Sequence, residues 1–335
     1  MPLRLIEAYV EEGHTDTLLA IAEQAGAVDC FAGAVSEDGR QTVRLLVSPS
    51  HQQAVLDQIQ TALSGSEGWR LVLLPVEAAL PVPPPSNDKP LLPDSKTASR
   101  EELLADMRSG TRLDRGYVFL TVLSTIAASI GLLTDSAAVV IGAMVIAPLL
   151  GPNLAFAFAT ALGDRSLMAL AASAMVVGLA IVLVIGAIVG VIWPGYSTPE
   201  LQERTIVGYE GVALALATGA AAVLSLTTGV SATLVGVMVA VALLPPAVVM
   251  SMTAITGQWN AAIGAALLLG VNVVCVNLSA QVVFALKRLG PRTITERAES
   301  RKLVIRNILL WTLALGAILA LMYWRGESLA SGAPG

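Results

Sequence analysis

Four side-chain amides stand in apolar surroundings in this chain. Asn272, Asn277 and Gln281 interrupt the apolar run 261–286, and Asn153 follows the phrase Ala147-Pro148-Leu149-Leu150-Gly151-Pro152. An amide both donates and accepts hydrogen bonds, and inside a bilayer it needs partners, either across helices or in a wet cavity. Asn277 and Gln281 are four residues apart and share one helical face, while Asn272 is offset from them. Such groups can hold a neutral solute, or coordinate an ion through their oxygens, without moving a proton. Equally, they can glue a helix bundle together, and the spacing alone fits both uses.

Covalent chemistry has less to work with. Between Gly116 and Leu286 there are seven charged residues: Asp135, Asp164, Arg165, Glu200, Glu203, Arg204 and Glu210. Asp135, Asp164, Arg165 and Glu210 all fall at the ends of long apolar runs, which argues against a proton relay or a voltage sensor. His14 and His51 are the two histidines, neither with a Cys, Asp or Glu at ligand spacing, and both read as solvated surface residues. Cys30 and Cys275 lie in surroundings too different for a disulfide. The chain has no Walker lysine, no HExxH and no GxSxG, so we expect no enzyme activity, no metal and no cofactor.

The prolines near these amides are duplicated. Gly142-Ala-Met-Val-Ile-Ala-Pro-Leu-Leu-Gly-Pro152 returns 94 residues later as Gly236-Val-Met-Val-Ala-Val-Ala-Leu-Leu-Pro-Pro246, identical at six of eleven positions. Proline removes an amide donor and leaves a carbonyl without its helical partner. In hydrocarbon such a group costs several kcal/mol unless protein or water satisfies it. Pro148 with Pro152, and Pro245 with Pro246, are therefore expected to break two helices, either as packing kinks or as the lining of a cavity. With Gly151, Asn153, Asn272, Asn277 and Gln281, these prolines form the candidate solute-binding set. A third polar group, Ser225, Thr227, Thr228, Ser231 and Thr233, falls in a turn whose counterpart is Thr134, Asp135 and Ser136.

These residues must be positioned by membrane helices. Hydrophobic residues make up 55% of the chain and charged residues 13%, with a mean hydropathy of +0.73, where a soluble domain carries about 25% charge. Seven spans are expected, at 117–133, 137–162, 167–192, 211–226, 232–253, 261–286 and 304–324, each long enough for a core of about 30 Å. A shift of 94 lays the first three on the next three. A unit of three spans enters its second copy from the opposite side, so the expectation is a 3+3 inverted repeat, 117–192 and 211–286, with one extra helix at 304–324. Lysine and arginine counts in the loops put the N-terminus in the cytoplasm and the 326–335 tail outside. Trp193, Tyr196, Trp259, Trp311, Tyr323 and Trp324 lie at or near span ends and suit an interfacial belt, although Trp311 can also fall within a span.

Residues 1–80 read differently, as a soluble βαββαβ unit of the ferredoxin-like, split-βαβ kind. Strands are expected at Leu3–Val10, Val28–Val35, Gln41–Val47 and Trp69–Val76, with helices at Thr15–Gly26 and from Pro49 to Leu63. Residues 81–115 comprise a proline-rich connector and an amphipathic juxtamembrane helix. Ser99 and Glu102 make its capping box, and Leu103, Leu104 and Met107 its apolar stripe. That helix is expected to lie on the cytoplasmic surface with its arginines near anionic headgroups, or else to pack on a neighbouring domain.

The two proline motifs, Gly142–Pro152 and Gly236–Pro246, on a multi-span repeat behind a small soluble domain, resemble the bacterial membrane family called domain of unknown function 389. The resemblance covers about 117–286 and implies a membrane location, with no substrate or residue roles to carry over. The expected function is a transporter or channel in the bacterial cytoplasmic membrane for a small neutral or weakly polar solute or an ion, regulated or oligomerised by the cytoplasmic domain. The alternative is a non-transporting sensor or scaffold whose cytoplasmic domain binds a ligand or partner. Expected partners are the lipid bilayer, a small solute and further copies of the chain, with no nucleic acid.

Overall fold

Strand β1 (Leu3–Glu11) turns Ile6, Ala8 and Val10 to one side, as a two-residue period requires, and all three are buried. It pairs antiparallel with both β3 (Arg40–Val47) and β4 (Arg70–Val76). Strand β2 (Asp29–Val35) adds to the outer side of β3, giving the sheet order β2-β3-β1-β4. Gly39, at φ 75°, supplies the left-handed residue that the β2–β3 turn needs. Helices α1 (Thr15–Gln24) and α2 (Pro49–Ala62) cover one face, closing a core of Ile6, Leu18, Leu45, Leu56 and Ile59 among others. The two histidines differ from the expectation of free surface groups. Both are half-buried and bound to serine hydroxyls, His14 to Ser66 at 2.9 Å and His51 to Ser48 at 3.0 Å.

The computed structural model describes residues 3–76, 79, 99–195, 197–227, 243–287 and 294–331. They divide into two compact units, Met1–Leu103 with Thr227–Gly229, and Leu104–Leu226 with Val230–Gly335. Helix α3 (Arg100–Gly110) opens with the expected capping box: the Ser99 N–H donates to the Glu102 carboxylate at 2.8 Å, and the Glu102 N–H donates to Ser99 Oγ at 3.1 Å. Its apolar stripe is partly covered by protein. Leu103 and Met107 are buried, and Arg100 is held by Asp57 at 3.0 Å and Glu101 at 2.7 Å. Arg108, Arg112 and Arg115 are exposed. Burial pushes the Glu101 carboxyl up, but the bond from Arg100 outweighs it and leaves the group below the usual carboxylate range.

The second unit is helical: α4 (Arg115–Leu133), α5 (Ala137–Ile146), α6 (Leu150–Leu162), α7 (Arg165–Ile192), the short α8 (Pro199–Glu203), α9 (Tyr209–Thr227), α10 (Leu244–Ile255), α11 (Trp259–Leu286) and α12 (Ile294–Ser331). Among the described residues five helices are long and apolar enough to cross a membrane: α4, α7, α9, α11 and Lys302–Arg325 of α12. The α5–α6 pair, bent by 51°, makes a sixth if it counts as one span. The seventh expected span, 232–253, lies largely outside the described residues, which resume at Leu243 with the 12-residue α10.

Element boundaries follow the sequence repeat. Helix α4 recurs 94 residues later as α9, both of 19 residues, and α7 recurs as α11, both of 28. The starts of α6 and α10 obey the same offset. So do the glycines that end them in the left-handed region, Gly163 at φ 76° and Gly257 at φ 75°. Each glycine turns its short helix directly into the long helix packed on it, α6 into α7 and α10 into α11.

Candidate functional site

The interruption between α5 and α6 has a local cause. Ala147, the residue before Pro148, takes an extended conformation (φ −67°, ψ 122°), because the proline ring crowds a helical one. The helix resumes at Leu150 with Leu149 as its N-cap. Pro152 is then the third residue of α6, and Pro245 and Pro246 are the second and third of α10. The first N–H groups of a helix have no intrahelical partner, so proline costs little there. The expectation of two double-proline breaks is therefore corrected: Pro148 sits in the break, whereas Pro152, Pro245 and Pro246 start helices. The residues before Leu243, where the second break is expected, lie outside the described residues.

A cavity of about 200 Å³ opens beside these helix starts, with an almost wholly apolar lining. Six of its lining residues form three pairs, each 94 positions apart: Leu149 with Leu243, Met175 with Leu269, and Leu179 with Val273. The first pair consists of the N-caps of α6 and α10. Ala247 and Val176 complete the wall. The cavity thus gathers equivalent residues of the two halves around one space. None of the prolines or amides singled out from the sequence belongs to its lining.

The amides lie one helical turn further on. Asn153 follows Leu149 by four residues on α6, and Asn277 follows Val273 by four on α11. The Asn277 Nδ2 donates to Asn153 Oδ1 and, at 2.9 Å, to the Val273 carbonyl. Phe158 and Phe284 pack one to two turns beyond, their ring centroids 5.2 Å apart. Asn153 and Asn277 are fully buried and Gln281 is 1% exposed. Among the described residues several of their polar atoms find no partner: Asn153 Nδ2, Asn277 Oδ1, and both Nε2 and Oε1 of Gln281. Each such atom costs about 1–3 kcal/mol when left unsatisfied, while the Asn153–Asn277 bond itself ties α6 to α11.

The other expected site residues divide by location. Pro152, Pro245 and Pro246 are buried and Pro148 is half-buried. Gly151 lies against the end of α3, where a Cβ would stand 3.1 Å from the Gly110 carbonyl oxygen. Asn272, 8% exposed, is on α11 away from the Asn277–Gln281 line. Of the third polar group, Thr228, Ser231 and Thr233 lie outside the described residues. Its counterpart is a structural turn: Asp135, at φ 53°, accepts a 2.9 Å bond from the Glu200 N–H at the start of α8.

Helix α12 contributes Asn307, which sequence reading did not single out, and Trp311, which it placed near a span end or within a span. Among the described residues Asn307, 8% exposed, finds no partner for Nδ2, and Trp311 none for its indole N–H. Trp311 stands edge-on to Phe156 of α6 at 6.3 Å. An isolated asparagine in the run 304–324 is the signal that points to this helix. By contrast Thr121, Ser124, Thr125 and Ser129 of α4 form a buried hydroxyl stripe whose members all donate to carbonyls of their own helix, so their protons are already spent.

Comparison with known proteins agrees with the motifs. Over 325 residues, 97% of this chain and 100% of the relative, the sequence is 28% identical to an uncharacterized protein of Methanocaldococcus jannaschii. No solved structure matches it. The model of the family described as Domain of unknown function (DUF389) matches residues 144–278. That match takes in the four candidate prolines, the cavity wall and the Asn153–Asn277 pair, and the family is the one that the two motifs resemble.

Proposed function

We propose that the chain is an integral membrane transporter or channel for a small neutral or weakly polar solute or an ion, built on an inverted repeat. The observation that carries this reading is the cavity whose walls are three residue pairs at the repeat offset. Helix directions support the inversion. Gly186 faces Val248 and Ser251, and Gly190 faces Met252 and Ile255, so α7 and α10 run the same way. Asn153 with Asn277 and Phe158 with Phe284 give α6 and α11 a common direction as well. Since α6 turns back into α7, and α10 into α11, the equivalent helices α7 and α11 run oppositely. That is the relation expected of repeats inserted from opposite sides, with the solute site at their interface.

The soluble unit fits a regulatory or oligomerising role. Its strand order supports a ferredoxin-like fold, and the loop charges favour a cytoplasmic position for it. A flux screen in proteoliposomes across ions, amino acids, nucleosides and other neutral solutes tests the proposal. Passage of at least one class is expected, and it should fall at least tenfold when Leu149→Trp and Leu243→Trp fill the cavity. Folded protein that moves none of these solutes would leave the sensor or scaffold reading in its place.

A further inference from the structure

Resting on that transport reading, we infer that the solute is an uncharged amphiphile: a compact apolar body with a head that both donates and accepts hydrogen bonds, such as a short-chain amide. Two adjoining environments specify it. The apolar one is the cavity, where Leu149, Leu243, Leu269 and Val273 give no polar contact. A cavity of this order has room for a molecule of about benzene's size, and it opens to the surface at Val176, 67% exposed. The polar one begins a turn away, about 6 Å along each helix. On α11 the residues Leu269, Val273, Asn277 and Gln281 follow at four-residue intervals, so one helical face leads from the cavity into the amides. On α6 the step from Leu149 to Asn153 repeats that order.

The unpartnered atoms define the head. Asn153 Nδ2 and Gln281 Nε2 are donors in want of acceptors, while Asn277 Oδ1 and Gln281 Oε1 are acceptors in want of donors. A molecule offering only one kind of group leaves half of them unsatisfied. A full charge is disfavoured, because amides do not neutralise it and every one of these groups is buried. The apolar wall in turn disfavours solutes that are polar all round, and it makes affinity rise with each added methylene.

The probes that test this are acetamide, propionamide and butyramide, with butylammonium and butyrate as charged isosteres, added to the purified full-length chain in detergent. Saturation-transfer NMR is expected to show binding that tightens severalfold from acetamide to butyramide, with none for either charged isostere. Leu243→Phe, which fills the cavity, should abolish the chain-length dependence, and Asn277→Leu should weaken butyramide at least fivefold. A diazirine analogue of butyramide should label peptides containing Leu149 and Val273 in the unaltered protein, a readout that needs no folded variant. Equal binding of butyramide and butylammonium, or labelling confined to other helices, overturns the inference. The expected binding pattern without flux in vesicles would keep this site and remove transport. Flux of other solutes without the pattern would keep transport and overturn this substrate class.

Discussion

The two halves of the helical unit share a frame and differ in chemistry. Where α7 carries Gly178, Leu183, Gly186, Ala187 and Gly190, the equivalent positions of α11 hold Asn272, Asn277, Ala280, Gln281 and Phe284. Where α6 has Asn153, α10 has Ala247. The α7–α10 contact is made by close backbone approach: a Cβ on Gly190 would stand 2.9 Å from the Met252 Cα, and one on Gly186 3.2 Å from the Val248 carbonyl. The α6–α11 contact is made by buried amides and two phenylalanines. Glycine packing in lipid gives tight, dry helix association. Amides with unspent donors and acceptors give nothing comparable, and they persist at a cost in stability. One half is thus packed through glycine backbone, and the other, on the reading proposed above, offers its amides to a ligand.

The largest effect expected from this contrast is at Gly190. Gly190→Leu sets a branched side chain against the Met252 backbone, which has no rotamer with which to yield. Overpacking of this kind costs up to about 3 kcal/mol, and more where backbone is the obstacle. The loss should appear as a large drop in thermal midpoint or in monodisperse yield. Gly142→Ala is the control, with nothing within 4 Å of its Cβ position. Equal tolerance of both substitutions would remove the frame-holding role from α7.

The amide half should respond in the opposite way. Replacing both partners, Asn153→Leu with Asn277→Leu, removes the shared bond and two of the unsatisfied atoms together. Exchanging a buried polar pair for apolar groups is often close to neutral, so the thermal midpoint should move little. Solute flux should nevertheless fall at least tenfold. A double variant that loses stability and keeps flux would make the amides structural and dissolve the contrast.

Legibility in the sequence was uneven for physical reasons. The 94-residue offset, the span positions and the strand alternation follow from periodicity, which is a property of the local chain. The four amides stood out because polar groups are rare in such runs. The roles of the prolines did not, since Pro152, Pro245 and Pro246 read as breaks until the positions of the helix starts are known. Asn307, although isolated in its apolar run, lies in an unrepeated helix and so has no counterpart at the 94-residue offset to mark it out. The cavity could not be read at all, because Leu149, Met175 and Leu179 are ordinary span residues until folding brings them against their counterparts. Seven spans were expected and at most six are found among the described residues, because 228–242 falls outside them.

The smallest effect sharpens the comparison at the entrances of the long helices. Asp164 and Gln258 are equivalent N-caps, of α7 and α11 respectively. The Asp164 carboxylate accepts from the Leu167 N–H at 3.0 Å and lies 3.4 Å from Arg108, whereas Gln258 makes no side-chain cap. A side-chain cap is worth about 1 kcal/mol, and an acidic one also complements the positive end of the helix. The Arg108 pair is too exposed to add much. Asp164→Ala should therefore lower stability by about that amount, and Asp164→Asn should recover most of it. Gln258→Asp, installing in the second half what the first already has, should raise stability by a similar amount. If α11 must shift to admit solute, that added cap should also slow flux, while Asp164→Asn leaves flux unchanged. A stabilised Gln258→Asp variant with unaltered flux would mean that the start of α11 stays still during transport.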